Sequence, residues 1–288
     1  MAIARSSQQY ETYTLTDEEA QSQLVVVPER GGIITNWSYQ NREILYLDAE
    51  RFADPNLSVR GGIPILFPIC GNLPDNTYTY KGQRYILKQH GFARNLPWSV
   101  TEQETDGLVS LTLVLNSNDQ TRAVYPFDFH LRFTYQLQGD TLEIQQRYTN
   151  HSSEPMPFSI GFHPYFQTFD KTQLQFDIPA SQYQDQKTKE IHPFSGSFDL
   201  EQDEIDVAFQ QLKSRSASFT DTGGQLNLTL SYSNIYSTLV FWTLKGQDFH
   251  CLEPWSAPRN ALNTGEQLTQ LPPGESVEAL FSLRAKFL

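Results

Sequence analysis

The sequence predicts an all-β protein whose many antiparallel strands form a large sandwich or a partly closed barrel. Aromatic residues make up 13% of its 288 residues and charged residues only 19%, a composition that suits pleated sheets better than helices. Hydrophobic and polar residues alternate over long stretches, and helix signals are weak. Since no Gly/Ser or Pro run of the linker type divides the chain, we expect one domain over residues 1–288.

The individual elements follow from this alternation. Near the N-terminus, Thr16–Ala20 has the pattern of one short capped helical turn. Strands are predicted at Val109–Leu115, His130–Gln138, Leu142–Tyr148, Gly224–Ser233, Thr238–Leu244 and Val277–Ala285. Gly139-Asp140 has the composition of a hairpin turn, and Gly223-Gly224 marks a turn before another strand. Leu280 is the exception to the alternation in the last strand.

Four segments interrupt the alternation and combine Gly or Pro with aromatic residues and an ionisable group. They are Arg60–Gly71 (RGGIPILFPICG), Gln89–Trp98 (QHGFARNLPW), Ser159–Phe166 (SIGFHPYF) and Leu252–Leu262 (LEPWSAPRNAL). Sites on a β scaffold tend to be built from loops and strand ends of this kind. We therefore expect functional residues in these segments.

Charge and cysteine content exclude several classes of protein. Lys and Arg number 21 against 33 Asp and Glu, a net charge of −12, which argues against a nucleic-acid or anionic-membrane binder. The two cysteines, Cys70 and Cys251, are too few for a disulfide scaffold or a thiolate metal cluster. No apolar run approaches the roughly 18 residues of a membrane span, and the N-terminus lacks a signal peptide's apolar stretch. We expect a soluble, cytoplasmic protein.

Two of the histidines stand out by their context. His90 and His163 each lie beside Gly or Pro with an aromatic residue close by, whereas the other four have the context of surface or core residues: His130, His151, His192 and His250. The histidines are scattered, without the close spacings of a zinc site, so no metal is expected.

Glu253 is the most suggestive carboxylate because Leu252, Pro254 and Trp255 flank it. If these neighbours desolvate the carboxyl group, its pKa rises toward the range of a general base at neutral pH. The alternative is a structural Glu at a strand end, bonded to backbone amides or to Arg259. The segment alone leaves both interpretations open.

Taken together, RGGIP, HGFAR, FHPYF and LEPW-x-x-PRNAL, in this order, resemble the aldose 1-epimerases (mutarotases) of the galactose-mutarotase-like superfamily. The resemblance covers most of the chain, from Val25 to Leu283. HGFAR followed by Trp98, with RGGIP upstream, looks more like the hexose-6-phosphate 1-epimerase branch. Gln89-His90 stands where galactose mutarotases usually carry Asn-His, which argues against galactose as the preferred substrate.

The resemblance implies a β-supersandwich with few short helices, whose concave face binds a pyranose, and cofactor-free interconversion of α and β anomers. Glu253 matches the general base that takes the proton from the C1 hydroxyl, and His163 the general acid that protonates the ring oxygen. His90 and Arg60 match contacts to sugar hydroxyls or phosphate. Asp206 matches an aspartate that holds distal hydroxyls.

Further substrate contacts are expected from Gln89 and from an aromatic platform of Tyr165, Phe166 and Trp255, while Phe67 is assigned to core packing. The stretch 76–101 holds four cations and no carboxylate: Lys81, Arg84, Lys88 and Arg94. The first three suit a solvated hairpin. Arg94, together with Arg60, suits a phosphate contact, since guanidinium groups bind phosphate through two hydrogen bonds.

Two functions from different classes remain. The leading hypothesis is an isomerase, a mutarotase that acts on a hexose or hexose 6-phosphate by acid/base ring opening, as a monomer or homodimer. The alternative is a non-catalytic carbohydrate-binding or sugar-sensing protein on the same fold. A binder needs the platform and hydrogen-bonding groups but no matched acid and base, so the presence of both Glu253 and His163 favours catalysis.

Overall fold

In the computed structural model, which describes residues 1–7 and 9–288, the chain forms 25 strands, three short α-helices and four 3-10 helices. The strands of the first half are β1 (Ala2–Ser7), β2 (Glu11–Asp17), β3 (Ser22–Val27), β4 (Ile33–Tyr39), β5 (Arg42–Glu43), β6 (Ile65–Leu66), β7 (Thr77–Tyr80), β8 (Gln83–Ile86), β9 (Ser99–Glu104), β10 (Val109–Asn116), β11 (Phe129–Gln138) and β12 (Thr141–Asn150). Those of the second half are β13 (Met156–Phe158), β14 (Gly161–Phe162), β15 (Tyr165–Gln167), β16 (Leu174–Asp177), β17 (Gln182–Asp185), β18 (Ile191–Pro193), β19 (Glu204–Phe209), β20 (Ser216–Asp221), β21 (Leu226–Tyr232), β22 (Thr238–Leu244), β23 (Phe249–Trp255), β24 (Thr269–Leu271) and β25 (Ser276–Phe287).

The helices are short and lie between strands. The α-helices are α1 (Ala49–Ala53), α2 (Asp119–Val124) and α3 (Ala261–Thr264), and the 3-10 turns are Pro28–Arg30, Pro74–Asn76, Ala93–Asn95 and Lys171–Gln173. Within the described residues, no helix is long and apolar enough to cross a membrane.

Two eight-stranded antiparallel sheets form the body of the fold. The first has the strand order β16-β20-β21-β25-β12-β11-β10-β9; the second has the order β18-β17-β19-β22-β23-β14-β6, with β15 also paired to β23. A five-stranded N-terminal sheet, β1 to β5, and two hairpin-sized pairs, β7-β8 and β13-β24, complete the structure. The all-β supersandwich is therefore confirmed.

Aromatic side chains pack between the two large sheets. Phe162 of β14 stacks on Phe281 of β25 with ring centroids 5.0 Å apart, and Phe219 of β20 meets His250 of β23 edge-on at 4.4 Å. Because successive strand residues point to opposite faces, Cys251, Glu253 and Trp255 of β23 lie on the face away from this core. The strand thus presents the LEPW segment's carboxylate to the side of the second sheet that faces away from this core.

The six predicted strands are all present, and Gly139-Asp140 is the two-residue loop between β11 and β12. Leu280 breaks the alternation because its side chain lies on the exposed face of β25. The short capped turn predicted at Thr16–Ala20 is present at 18–21, but it connects two strands and is not helical. β2 continues to Asp17, whose carboxylate accepts a hydrogen bond from the backbone of Ala20 in a loop leading to β3, so strand pairing prevails over the local capping pattern.

Candidate active site

A cavity of about 340 Å³ opens on the face of the second sheet that carries Glu253. Its volume falls in the range of small-molecule sites. With the exception of Phe166, the residues that the sequence singled out for catalysis or substrate contact line it: Arg60, Gln89, His90, Arg94, His163, Tyr165, Asp206, Glu253 and Trp255. The four interrupted segments, distant in sequence, therefore converge with β19 on one cavity.

Glu253 and His163 face each other at the base of this cavity. Glu253 lies on β23 and His163 directly follows β14, and His163 Nε2 is 3.4 Å from Glu253 Oε1. Both side chains are buried. Burial raises the pKa of the Glu253 carboxyl well above its usual range, with the charge of Asp206 adding to the rise, and lowers the pKa of His163 to about 3. Both shifts favour the pair in its neutral form, with one proton on Glu253.

The backbone orients His90 as a hydrogen-bond donor. His90 has a left-handed φ of 63°, and its Nδ1 accepts a hydrogen bond from the Gly71 amide at 3.0 Å. Burial, with the Arg94 charge, holds the pKa of His90 well below its usual value, so the ring is neutral and carries its proton on Nε2. Gly91 is required next to it, because a Cβ there would lie 2.2 Å from the carbonyl oxygen of Phe67.

Four arginines line the cavity, and they differ in whether a carboxylate pairs with them. Arg259 binds both carboxylate oxygens of Asp206, at 3.0 and 2.7 Å. By contrast Arg51, Arg60 and Arg94 have no carboxylate partner within 4.0 Å among residues 1–7 and 9–288. Arg94 donates to the Gln89 carbonyl at 3.1 Å, while its buried Nε has no partner among the described residues. In the part of the chain that the structure describes, the cavity thus holds three arginines that form no ion pair with a carboxylate.

Aromatic rings fix the histidine and close the cavity. Tyr165 stacks on His163 with centroids 4.6 Å apart and planes inclined by 10°, and Trp242 meets the same ring edge-on at 5.6 Å. Trp255 lies beside Glu253 and donates its indole N–H to Oε2. Phe166, expected in the platform, instead points into the core against Phe219, because it is the neighbour of Tyr165 on β15 and takes the opposite face.

One group of side chains has the composition of a metal site. Ligand atoms of His163, Cys251 and Glu253 lie within 4.8 Å of one another. Burial raises the pKa of the Cys251 thiol well above its usual value, so the thiol carries its proton unless a metal ion displaces it. We assign no metal to this group, and the expected absence of a cofactor stays a prediction.

The sequence did not single out Arg51, Glu204 or Trp242 as site residues. Arg51 comes from the exposed helix α1, and nothing in its local sequence distinguishes it from a solvated arginine. Trp242 could have been identified from the sequence. It lies on the predicted strand β22, and a Trp on the solvent-exposed face of a strand is unusual. It donates to Glu204 Oε1 at 2.8 Å.

Comparison with known proteins places the fold and cavity in context. The family model "Aldose 1-epimerase" matches residues 11–284. The crystal structure of the Slr1438 protein from Synechocystis sp. PCC 6803 is 48% identical, with a TM-score of 0.96 and all of both chains covered. A galactose mutarotase-like protein from Clostridium acetobutylicum is 19% identical, with a TM-score of 0.84 over 100% of this chain and 99% of that one, and supports the fold alone.

Curated relatives are more distant in sequence. Protein LacX of Lactococcus lactis subsp. lactis is 26% identical over 251 residues, covering 76% of this chain and 81% of LacX. A protein of Cenchrus ciliaris named "Putative glucose-6-phosphate 1-epimerase" is 28% identical over 199 residues, covering 65% of this chain and 57% of its own length.

Proposed function

The chain belongs to the aldose 1-epimerase family, and on that premise we propose that it is a mutarotase that interconverts the α and β anomers of a hexose 6-phosphate, with the free hexose as a poorer substrate. The observation that carries the proposal is the Glu253–His163 pair, 3.4 Å apart at the base of a cavity that also holds three arginines without a carboxylate partner among the described residues.

Anomer interconversion moves one proton from O1 to O5 as the C1–O5 bond breaks. Glu253, as carboxylate, takes the O1 proton while His163, as imidazolium, delivers its proton to O5, and the C1–O1 bond becomes a carbonyl. Rotation about C1–C2 and attack of O5 on the other face of the carbonyl reverse both transfers. The pair holds one proton before the step and one after it, so the chemistry needs no external acid or base.

The neutral resting pair is compatible with this cycle. Transfer of the Glu253 proton to His163 converts the resting form into the reactive one without changing the pair's net charge. Burial of the pair limits exchange with solvent and strengthens electrostatic interactions with the substrate. His90, fixed as a neutral Nε2–H donor, supplies a hydrogen bond to a sugar oxygen.

The arginines support a phosphorylated substrate. The protein carries a net charge of −12, which repels an anion at long range. Arg51, Arg60 and Arg94 have no carboxylate partner within residues 1–7 and 9–288, an arrangement that a neutral sugar does not require. A phosphate, by contrast, pairs with guanidinium groups through charged hydrogen bonds. The Asp206–Arg259 pair suits neutral hydroxyl groups, because it offers both acceptors and donors with little net charge.

The experiment is anomer exchange measured by two-dimensional exchange NMR on glucose and glucose 6-phosphate. We expect exchange above the spontaneous rate with both sugars and a larger kcat/KM for the phosphate ester. Equal kcat/KM values would leave a plain aldose mutarotase. Binding of both sugars without any accelerated exchange would support the non-catalytic carbohydrate-binding alternative.

A further inference from the structure

Trp255 contacts the carboxylate of Glu253 from two residues further along the same strand. Because residues i and i+2 of a strand share a face, both side chains lie on the cavity side of β23. The indole Nε1 donates a hydrogen bond to Glu253 Oε2 at 3.1 Å. Trp255 is only 2% exposed, so its ring offers a sugar little surface to pack against.

The indole ring is held on several sides. A Cβ at Gly161 would lie 2.8 Å from Trp255 Cδ1, so this position accepts only glycine while the ring stays where it is. The His90 ring meets Trp255 edge-on at 5.7 Å, and the Arg259 guanidinium carbon lies 5.7 Å from the ring centroid. Arg259 is itself fixed by Asp206 and by Asn72 Oδ1 at 3.0 Å. The indole N–H is therefore a rigid donor.

A rigid donor at Oε2 determines how the carboxylate is presented. With Oε2 held, Oε1 is the oxygen left toward His163 Nε2, where the proton transfer takes place. A donor also favours the charged carboxylate over the neutral acid, opposing the effect of burial. The titratable and charged groups around Glu253 are His163, Tyr165, Asp206, Arg94, Arg259, Cys70 and Cys251. Trp255 differs from these groups because it does not titrate and donates its hydrogen bond to Glu253 from the same strand.

From this geometry we propose that Trp255 is a positioning residue for Glu253, whose indole N–H orients the carboxylate for proton transfer and stabilises its ionised form. The inference rests on the proposed function, in which Glu253 is the base. It assigns to Trp255 a role different from that of an aromatic platform for the sugar.

The test is Trp255→Phe, which keeps an aromatic ring and removes the donor. We expect kcat to fall roughly ten- to a hundredfold, the range for a lost hydrogen bond to a charged group. KM should change little, and the alkaline limb of the kcat profile should move to higher pH, because the pKa of Glu253 rises without the donor. If Trp255 were instead a platform for the sugar, its substitution would raise KM and leave the alkaline limb of the kcat profile in place. That result would overturn the proposal.

Trp98→Phe is the matched control. Trp98 is also buried and donates its indole N–H, to the Ala93 carbonyl at 3.0 Å, but it packs on Phe133 and does not line the cavity. We expect this variant to lose stability and keep the wild-type pH profile. The same limb shift in both variants would indicate a general effect of packing and contradict the proposal.

A second measurement does not depend on the folding of Trp255→Phe. In ¹⁵N-labelled wild-type protein, one indole N–H resonance should titrate with pH as Glu253 ionises, and this dependence should vanish in Glu253→Gln. Absence of any such resonance would overturn the contact. If the protein accelerates no anomer exchange but the resonance still titrates, the proposed function fails while the hydrogen bond stands.

Discussion

Asp206 holds Arg259 through both carboxylate oxygens, at 3.0 and 2.7 Å, at the edge of the cavity whose base is Glu253. Of the four arginines that line the cavity, Arg259 is thus paired with a carboxylate, whereas the other three have no carboxylate partner in the described part of the chain. Asp206 also interacts electrostatically with Glu253, because its negative charge contributes to the raised pKa of the Glu253 carboxyl.

Asp206→Asn should therefore shift the chemistry as well as binding. Removing the charge of Asp206 and freeing Arg259 both lower the pKa of Glu253, so the alkaline limb of kcat moves to lower pH, while loss of a hydroxyl contact raises KM. Glu204→Gln is the control, since Glu204 lines the same cavity but pairs with Lys187 at 2.6 Å. An alkaline limb that stays in place in Asp206→Asn would contradict the electrostatic link.

The pH dependence of kcat should show a broad plateau. The active pair carries one proton; at low pH His163 gains a second one and the base is lost, and at high pH Glu253 loses the proton and the acid is lost. Since burial lowers the pKa of His163 to about 3 and raises that of Glu253, the two limbs move apart. Anomer exchange corrected for the spontaneous rate should thus change little from weakly acidic to weakly alkaline buffer. A narrow bell centred on the ordinary histidine pKa would refute this.

Arg94→Ala should weaken the phosphorylated substrate selectively. A hydrogen bond to a charged group contributes about 1.5–3 kcal/mol, so kcat/KM on glucose 6-phosphate should fall roughly ten- to a hundredfold. Free glucose should be hardly affected, and inorganic sulfate should inhibit the wild type more than the variant. Arg84→Ala, an exposed arginine of β8 outside the cavity, is the control. Equal losses on both sugars would make Arg94 a structural residue.

His250 should make the fold sensitive to acid. Its ring is buried in the core, its Nδ1 contacts Thr168 Oγ1 at 2.8 Å, and burial lowers its pKa to about 3. Below the ordinary pKa of about 6.5, His250 binds a proton in the unfolded chain but not in the folded chain. The free energy of unfolding therefore falls by about 2 kcal/mol from about pH 7 to about pH 5 through this group.

His250→Asn tests this by urea unfolding at both pH values. The variant retains a polar group near Thr168 but cannot titrate, so its stability should depend on pH less steeply than that of the wild type, whatever its stability at neutral pH. An unchanged slope would exclude His250 as an acid-sensitive group.

Much of the fold could be predicted because each strand carries its own signal. The alternation in 130–138 and 277–285 sets which face is buried, and the Gly139-Asp140 turn fixes the hairpin between β11 and β12. The turn expected at Thr16–Ala20 starts later and is not helical, because a local capping pattern is weak compared with the pairing of β2 to β3.

The site was predictable where motifs combine unusual backbone with ionisable groups, as at His90 and Glu253. The site was not predictable where a residue reaches the cavity only through the tertiary arrangement of its element. Arg51 reaches the cavity only because of where α1 lies, and Arg259 pairs with Asp206 of β19 rather than with its near neighbour Glu253. Phe166 and Tyr165 are adjacent on a short strand and therefore point to opposite faces. The sequence pattern does not show which of the two faces the cavity.

The central claim is that Glu253 transfers the proton of the anomeric hydroxyl, and Glu253→Gln measured by exchange NMR between the anomers tests it most directly. The substitution preserves shape and a hydrogen-bonding oxygen while removing the base. We expect turnover to fall by roughly 10²–10⁴-fold, with sugar binding, followed by saturation-transfer NMR, retained. Anomer exchange near the wild-type rate in this variant would remove Glu253 from the chemistry and contradict the account.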